Sequence, residues 1–199
     1  TPRQRTIITA EKSFHCRTLA TVTATGQEKY QKPFAPLPGG FRYVPFGDLD
    51  AIEAAVDDTV CAIMLEPIQG EGGINVPDQR YLGGVRRLCD DRGILLILDE
   101  VQTGIGRTGK WFGYEHFGIE PDIMTLAKSL GGGFPIGACV AKGEVATTFA
   151  PGDHASTFGG NHLACAAALE TLTIIEDERI IANAAAMGAL LTERFTKLA

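Results

Sequence analysis

Four nearly unbroken apolar runs do most to limit the fold: Val60–Leu65 (VCAIML), Ile94–Leu98 (ILLIL), Ile123–Leu126 (IMTL) and Ala138–Ala141 (ACVA). A strand with one wet face alternates apolar and polar side chains, whereas a run without alternation reads as a strand buried on both faces. Thr6–Ala10 (TIITA) reads as a further strand. Helical patterns separate and follow these runs. Asp78–Arg92 places Tyr81, Leu82, Val85 and Leu88–Cys89 on one face, with Asp78 at its start and Gly93 past its end. Asp48 can cap a short helix through Val56. Asn161–Glu176 and Arg179–Leu198 read as two more helices, the first rich in Ala and so expected to pack closely. Tyr30–Phe46 carries Pro33, Pro36, Pro38, Gly39, Gly40 and Pro45 and reads as a long irregular connection. Strand runs alternating with helices predict an α/β fold with a mostly parallel sheet covered on both faces.

Composition narrows the function classes. The net charge of −6 over 199 residues argues against nucleic-acid binding, and no apolar run is long enough to span a bilayer. Cys16, Cys61, Cys89, Cys139 and Cys165 are scattered, with no C-x-x-C pair, so a disulfide framework or zinc site is not expected and a reduced, cytoplasmic protein is. His15, His116, His154 and His162 show no H-x-x-x-H spacing, and no metal is expected. Thr1–Arg5 leads almost directly into a strand and the last residues lie within a helical pattern, so the chain reads as an interior portion of a larger protein.

In parallel α/β sheets, ligands lie beyond the carboxyl ends of the strands. Asp99 stands at such an end, followed by Glu100 and by Gly104, Gly106 and Gly109 in a G-x-G-x-x-G pattern. A dinucleotide loop turns straight from strand to helix. Here Asp99–Thr103, two of them acidic, intervene, and KWFGYEHFG after Gly109 is not an amphipathic helix, so the pattern argues against a pyrophosphate site. A ligand-free glycine loop is the plainer alternative. Lys128 closes the strand-like run PDIMTLAK just before SLGGGFPIGA. A lysine snorkelling from a strand end is one reading. If the Asp99 and Lys128 strands are neighbours, however, a carboxylate and an amine share one apolar crevice. That pair suits a carbonyl-bearing aromatic cofactor, the amine meeting the carbonyl and the carboxylate a protonated ring nitrogen.

Four ordered segments, MLEPIQGEGG, LLILDEVQTGIGRTG, TLAKSLGGGFPIGA and HASTFGGNHLACAAALETL, together with SFHCRT, resemble the class III aminotransferases, which use pyridoxal 5′-phosphate (PLP). The resemblance implies a three-layer α/β/α sandwich, part of the large domain of the type I fold of PLP-dependent transferases. It implies that Lys128 bonds the cofactor, Asp99 pairs with its pyridine nitrogen, Gln102 contacts its phenolic oxygen and Phe14 stacks on its ring. Thr157 matches a threonine that reaches the phosphate in the neighbouring subunit, which implies a homodimer. Arg17 matches an arginine for a substrate carboxylate, and Glu71 a glutamate that pairs with an arginine of a C-terminal domain. The implied reaction moves the terminal amino group of N-acetylornithine to 2-oxoglutarate, in arginine biosynthesis. Ornithine, 4-aminobutyrate and succinylornithine as donors, a semialdehyde aminomutase, and a non-catalytic fragment are the alternatives. The family's main phosphate loop and its C-terminal small domain are expected outside residues 1–199. The family usually has glycine at Cys16 and at Ala155, and proline at His162. A side chain at Cys16 is strained if that position needs positive φ. For Lys128 to carry a proton, burial and a cationic ring are expected to lower its pKa.

Overall fold

The computed structural model describes residues 5–198. Six strands form one sheet: β1 (Thr6–Ala10), β2 (Phe41–Val44), β3 (Val60–Leu65), β4 (Leu95–Asp99), β5 (Ile123–Leu126) and β6 (Ala138–Ala141). Their order is β2-β1-β3-β4-β5-β6. The first five are mutually parallel and β6 runs antiparallel to β5. The helices are α1 (Leu19–Ala24), α2 (Glu28–Gln31), α3 (Leu49–Ala55), α4 (Tyr81–Arg92), α5 (His162–Asp177) and α6 (Ile180–Thr196). The architecture is α/β with a mostly parallel sheet and flanking helices, as the apolar runs predict.

The core forms on one face of the sheet. Ile8, Ile63, Leu65, Leu96 and Leu98 are fully buried there against Ile52 of α3 and Leu82 and Val85 of α4. Each such side chain contributes about 1.5–3 kcal/mol by leaving water. Met124 and Leu126 of β5 begin a second cluster with Ile105, Leu130, Ala168 and Ile175.

Local chemistry sets the helix ends. Asp48 caps α3 by accepting from the Ala51 N–H at 2.9 Å, and Asn161 caps α5 by accepting from Ala164 at 2.9 Å. Gly93 ends α4 in the left-handed conformation, φ 62°. Helix α4 begins at Tyr81 rather than Asp78, because Asp78 spends its carboxylate on the Arg80 N–H and holds a turn.

One further expectation is corrected. The Pro- and Gly-rich connection Tyr30–Phe46 contains strand β2, whose ladder to β1 begins once the chain has passed Gly40. Burial of the sheet is uneven: Ile7, Met64, Leu95, Ile97 and Ile123, on the face away from the core, are only half-buried. Helix α1 meets that face at its β1–β2 end, where the Tyr43 hydroxyl donates to the Thr23 carbonyl. In helix α5, Ala164, Ala168 and Ile175 are buried, while Leu163 and Leu169 are 72% and 69% exposed. Its small residues form one buried stripe, and no described element covers the other side.

Candidate active site

Strand β1 has β2 on one side and β3 on the other, so the sheet order reverses beside it. Connections leaving on opposite sides open a crevice at the carboxyl ends of the strands. A cavity of ≈380 Å³ lies there, lined by Phe14 and His15 after β1, Glu66 after β3, Asp99 and Gln102 at the end of β4, and Lys128 after β5. Its lining is mostly apolar, with Met64 and Ala127 also present.

Asp99 and Lys128 reach the cavity from adjoining strands. β4 and β5 are parallel neighbours with Asp99 opposite Thr125, which puts Lys128 three residues further along β5's exit. Asp99 is buried, and its Oδ1 accepts from the Val101 N–H at 3.1 Å. Its Oδ2 lies 2.7 Å from His15 Nδ1. A carboxylate only accepts, so Nδ1 carries the proton and donates. The His15 side chain is fully buried, and its Nε2 has no hydrogen-bond partner among the described residues. Sequence reasoning missed this histidine; its one signal is its place beside Phe14 in SFHCRT.

Lys128 follows Ala127 with φ 48°, a left-handed conformation that non-glycine residues seldom adopt. Its side chain is exposed in this chain. Gln102 lines the cavity and packs against Gly70, where an added Cβ would stand 2.5 Å from the Gln102 amide carbon. Only glycine leaves that amide its place.

Glu66 is a second carboxyl in the cavity. It accepts from the Phe14 N–H at 3.1 Å and the Gly70 N–H at 3.2 Å, tying the ends of β1 and β3 together. Burial pushes its pKa up, against the opposing pull of the His15 charge and the two N–H groups. Glu100 points the other way. It accepts from the Thr103 hydroxyl and from the Gly113 and Tyr114 N–H groups at 2.9 and 2.8 Å, closing the loop after β4.

That loop resolves the glycine pattern. Residues 101–112 form turns, not a helix. Gly106 and Gly109 have φ 82° and 83°, and a Cβ on Gly109 would lie 2.9 Å from that of Ala185 in α6. The glycines serve loop conformation and the approach of α6.

Arg17 and Glu71 are not among the residues that line the cavity. The Arg17 guanidinium sits 5.5 Å over the Phe14 ring and 4.7 Å over Tyr30. Glu71 accepts from the Tyr30 hydroxyl at 2.5 Å, from Gln27 Nε2 and from Lys29 Nζ at 3.4 Å. The Tyr30 and Gln27 bonds, aided by Lys29, hold its carboxyl below the usual glutamate range. Thr157 is exposed and does not line the cavity. Cys16 has φ 97°, so a side chain occupies a position that favours glycine.

A buried carboxylate backed by a histidine, an amine across an apolar cavity and a switch-point location fit a PLP site. The comparisons agree. The family model for "Aminotransferase class-III" matches residues 1–199, and the chain belongs to that family. It is 60% identical over 187 residues to acetylornithine aminotransferase of Caldanaerobacter subterraneus subsp. tengcongensis, covering 94% of this chain and 47% of that protein. It is 56% identical over 192 residues to acetylornithine aminotransferase of Methanothermobacter thermautotrophicus, covering 96% and 49%. Among solved structures it is similar to an ornithine aminotransferase of Toxoplasma gondii, with TM-score 0.94, 38% identity, 99% of this chain and 47% of that one. The chain thus spans about half the length of the relatives it matches.

Proposed function

We propose that this chain is the central portion of the PLP-binding large domain of an aminotransferase. In this reading it moves the terminal amino group of N-acetylornithine to 2-oxoglutarate, a step of arginine biosynthesis. The observation that carries the reading is the shared cavity of Asp99 and Lys128 at the ends of adjoining parallel strands. The similarity to acetylornithine aminotransferases at 60% and 56% identity supports the donor.

When bound, PLP supplies a carbonyl that takes up the amino group and a protonated pyridine ring that draws electrons from the donor carbon. Asp99 holds the proton on the ring nitrogen through a charge-assisted hydrogen bond, and His15 fixes the orientation of that carboxylate. Lys128 would hold the cofactor through its carbonyl, and its Nζ would carry the proton taken from the donor carbon. The Gln102 amide would donate to the phenolic oxygen, Phe14 would form one wall and keep water out, and the Arg17 fork would take the donor carboxylate.

The remaining parts come from outside the chain. The main phosphate loop precedes residue 1, the small domain that meets Glu71 follows residue 199, and Thr157 serves the partner's phosphate in a homodimer. A cytoplasmic location is supported by five unpaired thiols. Among the described residues no helix is long and apolar enough to cross a membrane.

The test is donor profiling of the intact protein with PLP and 2-oxoglutarate. Glutamate formation from N-acetylornithine at the highest kcat/KM is expected. Preference for ornithine, 4-aminobutyrate or succinylornithine would replace the donor, and no glutamate from any of them would refute the reaction.

A further inference from the structure

Glu66 stands at the exit of β3 in the wall of the cavity, only 4% exposed. Both of its carboxyl oxygens go to backbone. Oε2 accepts from the Phe14 N–H at 3.1 Å, and Oε1 from the Gly70 N–H at 3.2 Å. The first N–H belongs to the loop after β1, the second to the loop after β3. Each leads to a residue of the cavity wall. Phe14 lines the cavity itself. Gly70 is in close contact with the Gln102 side chain: a Cβ there would stand 2.5 Å from the amide carbon, 2.6 Å from Oε1 and 2.7 Å from Nε2. The position of Gly70 therefore sets where the Gln102 amide can lie. A carboxylate suits this task, because it only accepts and offers both oxygens to donors. Every contact joins residues of this chain, so the arrangement does not depend on parts of the protein outside it.

We propose that Glu66 is a positioning residue for the cofactor: through two backbone N–H groups it sets the place of Phe14 and, by way of Gly70, that of the Gln102 amide. This rests on the PLP reading, in which Phe14 walls the cofactor ring and Gln102 meets its phenolic oxygen. Gln69 Nε2 donates to the Glu11 carbonyl at 2.8 Å and joins the same two loops a second time. Loss of one Glu66 bond therefore shifts the loops without separating them. The chemical consequence lies at the phenolic oxygen. A donor aimed at that oxygen favours its negative charge and lowers the pH at which the bound cofactor gives up its proton. A displaced Gln102 amide leaves that pH higher.

The test is a pH titration of the visible absorption band of the intact, PLP-loaded protein, with PLP affinity measured alongside. Glu66→Gln keeps the shape but leaves one acceptor oxygen for two N–H groups. It is expected to raise the titration midpoint by about one pH unit and to weaken PLP binding about 10-fold, the scale of one lost hydrogen bond. Removing a negative charge by itself would lower the midpoint, so a rise reports displacement rather than charge. In the Gln102→Ala background the same substitution is expected to move the midpoint by less than about 0.3 unit, while the loss of PLP affinity through Phe14 persists. Gly70→Ala alters no charge but pushes the Gln102 amide aside, and is expected to raise the midpoint as well. If Glu66→Gln does not fold, Glu66→Asp, one methylene too short to meet both N–H groups, is read in the same way. An unchanged or lowered midpoint in the Glu66 variant or in Gly70→Ala, an equal rise in both backgrounds, or unaltered PLP affinity would overturn the proposal alone. A wild type that forms no visible band with PLP would overturn it together with the transaminase reading.

Discussion

His15 Nδ1 donates to Asp99 Oδ2 at 2.7 Å, inside the protein and with the imidazole fully buried. The two residues are 84 positions apart and meet only because β1 and β4 flank β3 in the sheet. With Oδ1 held by the Val101 N–H and Oδ2 by His15, the carboxylate has one orientation on the cavity wall. His15→Leu removes the donor and frees that orientation. We expect single-turnover transamination to fall about 10- to 100-fold, the scale set by small misplacements of a reacting group. His15→Asn, whose amide can still donate, is expected to lose less. Stopped-flow absorbance of the PLP-loaded protein measures both, and wild-type rates in His15→Leu would remove His15 from the site.

Glu66 makes stability depend on pH in a definite direction. Its pKa is raised in the folded state by burial. The folded protein therefore binds this proton more tightly than the unfolded chain, and the group's contribution is fully present below the unfolded value of about 4.3. That contribution is lost as pH rises through the raised folded value. The unfolding free energy of the wild type minus that of Glu66→Gln should thus become less positive across that window. Denaturant titrations at a series of pH values measure it, and a difference that grows with pH would contradict the assignment.

Cys16 places a side chain at φ 97°. Such a conformation costs about 1–3 kcal/mol, while glycine loses about 0.4–1 kcal/mol through its freer unfolded chain. Cys16→Gly is expected to stabilise the protein by about 1 kcal/mol. Chemical denaturation is the check, and a loss of stability would mean that the thiol's contacts outweigh the strain.

The strands were legible because β3, β4 and β5 carry apolar residues at nearly every position. In this chain, which spans about half the length of its relatives, Leu96 and Leu98 lie under the described helices while Leu95 and Ile97 on the other face are half-buried. Strand β2 was hidden because the prolines and glycines around FRYV are turn signals, and the ladder to β1 that overrides them is a long-range fact. The antiparallel direction of β6 has no local signature. Asp99 and Lys128 could be found because each closes an apolar run before a glycine-rich segment. His15, Glu66 and Tyr30 could not be found that way: each acts through a partner 84, 52 or 41 residues distant, a pairing that only the strand order creates.

The central claim is that Lys128 and Asp99 grip one cofactor. The most direct measurement is borohydride reduction of the intact, PLP-loaded protein, followed by peptide mass mapping, with the Lys128→Ala variant alongside. The account predicts a phosphopyridoxyl group on Lys128 alone and none in Lys128→Ala, which should unfold at the same denaturant concentration as the wild type. A label on another lysine, or an unchanged label in Lys128→Ala, would contradict it.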